Sequence, residues 1–305
     1  MAMIGVQTGV LTSLYGIDGA YRAIKEAGFD AVDANLDELL TYQDIRNKRR
    51  PAAFEAEGEE MLRYFQPFRD AAEKYGICNY QAHAPFPSCL AGEDEYNEFL
   101  MRALEKTLAV CRFIGCSRLV IHPFFNGSDE AQSPREDWAQ NMDRYARLIP
   151  AAKEYGVTIL LENMFTRYRG KIYAACCSDF EMACRYVDEL NQLAGEELFG
   201  FCLDTGHALL VSKDIRDVMA LLGSRVKAFH IHDNNGWDDQ HVAPYMGILD
   251  WDRFVEGLRI IGYQGALCFE THGAVKVFHP ELAPEVLRLI AQTGRLFARK
   301  AGMEA

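Results

Sequence analysis

The chain has 305 residues, 49% of them hydrophobic and 25% charged, and a formal charge of −12. That length supports one large core. No run approaches the roughly 18 consecutive apolar residues of a membrane span, and Met1 to Val10 lacks the basic-then-apolar order of a secretory signal, so a soluble, cytoplasmic protein is expected. The charge argues against a nucleic-acid partner, whose nonspecific affinity comes from neutralised phosphates, and nine cysteines without a CxxC pair read as small core residues in a reducing compartment.

Taken in chain order, short apolar runs predict eight strands: Ile4 to Val10, Ala31 to Leu36, Asn79 to Ala84, Arg118 to Phe124, Val157 to Asn163, Gly200 to Thr205, Val226 to His232 and Gly265 to Thr271. They are continuous rather than alternating, as parallel strands covered on both faces should be. Between them lie amphipathic stretches, such as Met142, Tyr145, Leu148, Ile149 and Ala152, whose spacing marks one buried helix face. Glycine repeatedly separates a helix from the next strand, as in AGFD, YGIC, YGVT and IGYQ, which is helix-terminating chemistry. Eight such units without a GxGxxG turn after the first strand predict an α/β fold, a closed (β/α)8 TIM barrel in a single domain spanning 1–305, over a doubly wound open sheet.

In such a barrel the active site forms where the strands end. The third run ends at His83, the fourth at His122, the fifth at Glu162, the sixth at Asp204 with His207, the seventh at His232 and the eighth at Glu270, while His241 follows in the loop after the seventh. Singly, each is an ordinary hydrogen-bonded loop residue. Together they would be costly at one mouth unless a cation offset the carboxylates. A mixed oxygen and nitrogen set of this kind suits a divalent metal ion, Mn²⁺, Mg²⁺, Co²⁺ or Zn²⁺, rather than a thiolate-bound structural zinc. His230 and His232 share one face of their strand; His232, nearer the end, is assigned to the metal and His230 to a deeper layer.

The stretches IHP, LEN, LDTGH, HIHDN followed by DQHVAPYMGILDW, and FETHG, in this order on successive strands, resemble the xylose-isomerase-like superfamily, in its sugar (phosphate) isomerase/epimerase and endonuclease IV branch. The resemblance implies one divalent ion held by Glu162, Asp204, His232 and Glu270. It also implies a sugar or sugar-phosphate substrate and proton transfer beside a carbonyl, with Glu162 and Glu270 as the catalytic pair and His207 on a substrate oxygen. The rival from the same superfamily is a trinuclear-zinc phosphodiesterase acting on abasic DNA. Its ligands would fall on His83, His122, Glu162, Asp204, His207, His232, Asp239, His241 and Glu270.

Three features favour sugar chemistry: the net charge, the short segment between His232 and Asp239, and Ala84, Pro85 and Phe86 after His83, which depart from the nuclease pattern. The basic run Arg46, Lys48, Arg49 and Arg50 reads as a solvated loop before it reads as a phosphate contact. A third reading, a non-catalytic sugar-binding barrel, is disfavoured by the presence of both Glu162 and Glu270. The NMFTRYRGKIYAACC loop, with Arg167, Arg169 and Lys171, reads as a surface loop, with an anion-gripping lid as the alternative. Asp33 is a candidate substrate contact or a plain polar residue ahead of a helix. A homo-oligomer fits the resemblance, though no interface motif stands out.

Overall fold

The structure is a computed structural model that describes residues 2–124 and 134–303. Among the described residues ten strands follow in chain order: β1 (Ile4–Gln7), β2 (Ala31–Asn35), β3 (Cys78–His83), β4 (Arg118–Ile121), β5 (Thr158–Glu162), β6 (Phe165–Tyr168), β7 (Lys171–Ala174), β8 (Phe199–Asp204), β9 (Val226–His230) and β10 (Leu267–Phe269). Eight pair in parallel in the order β10-β1-β2-β3-β4-β5-β8-β9. A parallel bridge between Ile231 and Phe269, with Ile231 N donating to Cys268 O at 2.9 Å and Glu270 N to Ile231 O at 3.0 Å, brings the two ends of that order together. The expected (β/α)8 barrel is therefore present, with helices around it.

All eight expected runs contain a barrel strand, and each strand stops one to three residues short of the predicted end. The first is the clearest case. Apolar character continues through Val10 and Leu11, yet the chain enters the helix Gly9–Ala27, whose Leu11 is fully buried against the core. Hydrophobicity there serves helix packing, not the sheet. The stretch from Met142 to Ala152 is split between helices Pro134–Arg147 and Ile149–Tyr155, since Pro150 has no N–H to continue a helix. Its buried face is as expected, with Tyr145, Leu148 and Ala152 inaccessible to solvent. Left-handed glycines end several helices, Gly28 at φ 96° and Gly156 at φ 64° among them.

Two apolar regions result. A large cluster lies between barrel and helices. A small separate one, Val120, Leu160, Cys202 and Ala228, contributes one residue from each of β4, β5, β8 and β9. Side chains two positions apart share a strand face, so the next residues on that face are His122, Glu162, Asp204 and His230. One polar layer thus sits directly on one apolar layer inside the barrel. Among the described residues no helix is long and apolar enough to cross a membrane. All nine cysteines are free, and seven of them are buried.

Candidate metal centre

Glu162, Asp204, His230 and Glu270 place one ligand atom each within 4.8 Å of one another. Glu162 Oε1 lies 3.2 Å from His230 Nδ1, and Glu270 Oε2 lies 3.5 Å from that nitrogen. On the other oxygen of Glu162, Oε2 is 3.1 Å from His122 Nε2. Gln7, closing β1, donates from Nε2 to Glu270 Oε1 at 2.6 Å. Asp204 caps the short helix Thr205–Leu210 by accepting from His207 N at 2.6 Å, so the DTGH turn fixes the carboxylate by its own backbone.

At β9 a different histidine from the expected one lies among the carboxylates. His230, not His232, joins the three carboxylates. The reason is register: His230 is the direct ladder partner of Asp204 across β8 and β9, whereas His232 lies two residues farther on, past the strand. There His232 Nε2 is 3.0 Å from Asp204 Oδ2, and its ring stacks on His241 at 3.9 Å. His232 belongs instead to a second set with His207, Asp239 and His241. A third set joins His83 and His122 to Glu162. All nine residues named from the sequence thus surround one mouth, with His230 added.

Backbone carbonyls orient the outer imidazoles. His83 Nδ1 lies 3.1 Å from Ala84 O, His207 Nδ1 2.9 Å from Asn163 O and His241 Nδ1 3.1 Å from Glu270 O. A carbonyl only accepts, so each Nδ1 carries the proton and each Nε2 is left for another partner. For His207 and His241 that partner is Asp239, at 3.4 and 2.9 Å. Burial alone would raise the Glu162 carboxyl, but His230 and His122 beside it hold it well below its usual range. The same contest runs the other way at His241: burial disfavours its charge, yet Glu270 and Asp239 push it up to about 9.

A divalent cation fits these residues. Glu162 Oε2, His230 Nδ1 and Asp239 Oδ1 are buried and have no hydrogen-bond partner among the described residues, and buried polar atoms of this kind are costly without one. The donors are hard carboxylate oxygens and imidazole nitrogens, with no thiolate. Glu162, Asp239 and Glu270 line a cavity of about 550 Å³ whose wall also includes Phe86, Met164 and Phe165.

Sequence reasoning missed Gln7 and His272, which also face this cavity. Gln7 carried the same signal as the others, a polar residue ending an apolar run. It also missed the antiparallel hairpin of β6 and β7. Arg167 on that hairpin donates to the Trp237 carbonyl and lies 3.3 Å from Asp238, so it ties the hairpin to the loop after β9. Asp33 is 1% exposed and lies against His230, which removes it from the substrate contacts. Lys48, Arg49 and Arg50 are paired with Glu93, Asp44 and Glu95.

Sequence and structure comparisons agree with this architecture. A probable endonuclease 4 of Mycobacterium bovis is 25% identical over 234 residues, covering 69% of this chain and 85% of the relative. The solved structure of D-allulose 3-epimerase from Methylomonas sp. superposes with a TM-score of 0.70 at 17% identity, covering 98% of each chain. That of the IolI protein with a bound zinc atom gives 0.67 at 16%, covering 99% of this chain and 98% of the other. At such identities the two solved structures speak for the fold alone. The profile described as xylose isomerase-like TIM barrel matches residues 21–293, and the chain belongs to that family.

Proposed function

We propose that this protein is a divalent-metal-dependent sugar or sugar-phosphate isomerase or epimerase. The carrying observation is the buried set Glu162, Asp204, His230 and Glu270 at the mouth of the barrel, with partnerless atoms on Glu162 and His230, and with Glu162 and Glu270 lining a cavity large enough for a monosaccharide. The D-allulose 3-epimerase and the zinc-bound relative support this reading through their shared fold. Held by these four residues, a divalent ion would supply Lewis acidity toward a hydroxy-carbonyl substrate.

The chain's own groups do the rest. Glu162 takes the proton from the carbon beside the carbonyl, leaving an enediolate, and Glu270, entering the cycle as the protonated carboxylic acid, gives its proton from the opposite side, which inverts the centre; exchange with solvent then resets both groups. Return to the neighbouring carbon exchanges aldose and ketose instead. Gln7 holds the Glu270 carboxylate in place through its 2.6 Å bond. His207 and His241, with Nδ1 protons engaged by carbonyls and Nε2 facing Asp239, line the cavity beside the substrate, and Phe165, 5.1 Å from the His207 ring, shields that side from water.

A second reading is favoured by one specific observation, the two further donor sets His83/His122/Glu162 and His207/His232/Asp239/His241. Three ions would suit phosphodiester hydrolysis, the kind of reaction that the name of the probable endonuclease 4 relative points to. Metal content per chain separates the two: one ion supports sugar chemistry, three support the nuclease. Exchange of carbon-bound hydrogen on a panel of ketoses and ketose phosphates in deuterated water tests the reaction itself. Complete absence of exchange across the panel sinks the isomerase reading.

A further inference from the structure

Below the carboxylate set, Asp33 on β2, Gln81 on β3 and His230 on β9 meet across the inside of the barrel. Asp33 Oδ2 lies 2.8 Å from His230 Nε2 and accepts from Gln81 Nε2 at 2.9 Å. Gln81 Nε2 also lies 3.3 Å from the Phe229 carbonyl, next to His230 in the chain. The three side chains are almost completely inaccessible to solvent. No substrate in the cavity can reach Asp33 without displacing His230.

We propose that Asp33 is the positioning residue of the metal centre: it fixes the His230 ring and its tautomer so that Nδ1, and not Nε2, is the ligand atom. This inference rests on the reading of the site as a metal centre. A carboxylate at 2.8 Å from Nε2 takes a hydrogen bond from it, which puts the proton there and leaves the Nδ1 lone pair free. Nδ1 is the atom found 3.2 Å from Glu162 and 3.5 Å from Glu270, buried and partnerless. A carboxylate behind a ligating imidazole also makes the ring more basic, and so a better ligand.

Gln81 has a separate part. Its amide holds the Asp33 carboxylate in register from the neighbouring strand, at the point where β2 and β3 slip by one residue between Val32 and Asp33. That slip matters because it opposes Asp33 to Gln81 rather than to Tyr80. Asp33 and Gln81 therefore form one buried bracket behind His230 that spans three strands, the two of them set beneath the reacting groups and not among them.

The experiment measures Co²⁺ binding to the folded full-length protein, by its visible d–d absorption and by competition with a chelator of known affinity, and follows ring N–H protons by NMR in the Zn²⁺-loaded form. Wild type is expected to bind Co²⁺ and to show a slowly exchanging His230 Nε2–H signal. Asp33→Asn, nearly isosteric, is expected to weaken Co²⁺ binding about 10- to 100-fold, to lose or shift that signal, and to retain the wild-type circular dichroism. Gln81→Met is the milder variant should Asp33→Asn fold poorly; removing one donor from Asp33 is expected to weaken binding about two- to tenfold. Wild-type affinity together with an unchanged N–H signal in both variants overturns the role of Asp33. Failure of wild type itself to bind any of Co²⁺, Mn²⁺ or Zn²⁺ overturns the metal centre instead.

Discussion

Gly206 gives the sharpest physical test, because two effects of comparable size oppose each other there. It sits inside the helix Thr205–Leu210, between Asp204 and His207. In an unhindered helix Gly206→Ala should stabilise by about 0.8–1 kcal/mol. Here a Cβ would overlap the ring of His232, and that ring is fully buried, bonded to Asp204 at 3.0 Å and stacked on His241. Overpacking of this kind costs about 1–3 kcal/mol, and loss of the buried His232–Asp204 bond about 1–3 kcal/mol more. Even after the helix gain, the variant should be less stable by roughly 1–5 kcal/mol. Urea denaturation of the metal-free protein, with an unchanged slope, measures this directly. In a His232→Ala background the obstacle is gone, so the same substitution should become neutral or stabilising, and the two changes should be strongly non-additive. A single Gly206→Ala variant as stable as wild type, or more so, refutes the reasoning.

Glu162→Gln and Glu270→Gln should each lower turnover by about 10²–10⁴-fold while the fold is kept; near-wild-type proton exchange in either removes that residue from the proton path. Burial raises the Glu38 carboxyl to about 7 although Thr12 donates to it. The folded state then keeps a proton that the unfolded chain releases near the ordinary glutamate value of 4.5, so stability is highest below that value and falls as the pH climbs to about 7. Discounted for partial exposure, the loss is about 1–2 kcal/mol, and Glu38→Gln should flatten it in thermal melts taken from pH 4 to 8. Asp233 accepts from Trp251 Nε1 at 3.0 Å and from the backbone N–H groups of Asn234 and Leu249. Asp233→Ala leaves three donors without it and should cost about 3–5 kcal/mol in urea denaturation. Stripping the protein with a chelator and restoring Mn²⁺ or Zn²⁺ at about 100 times its Kd should raise stability by about 2.7 kcal/mol, read as a higher Tm.

The barrel was legible because its strands are buried on both faces and stand out as short apolar runs, most of them preceded by a helix-ending glycine. The site was legible for a related reason: a polar residue at the end of such a run conflicts with its surroundings unless the fold uses it. That logic identified Glu162, Asp204 and Glu270, and it applies equally to Gln7. It could not choose between His230 and His232, since residues two apart share a face and only the register with β8 sets their depth. Nor could it find the β6–β7 hairpin. Phe165 to Ala174 alternates weakly, and its strands are at most half-buried, so no hydrophobic signal marks them. Asp33 was noticed for the wrong reason, because sequence shows that an acid ends a strand but not that an imidazole covers it.

The layering inside the barrel bears on the choice between sugar and phosphodiester chemistry. Val120, Leu160, Cys202 and Ala228 make a dry floor, and the groups two residues above inherit a low dielectric in which unpaired charge is expensive. Glu162 belongs both to the central set and to the His83/His122 set, so filling the His83/His122 set draws on a carboxylate that the central ion also needs. The Asp239 set shares no residue with the central four, although His232 is tied to it through Asp204. Asp239 is also engaged by His207 and His241, which hold its carboxyl far below the usual range despite burial. Either it carries a second cation, or it holds two imidazoles in place for a substrate. An Asp239→Asn variant tells these apart. Loss of one bound ion per chain marks a ligand, whereas an unchanged metal count with a raised KM marks a residue that positions His207 and His241 around the sugar.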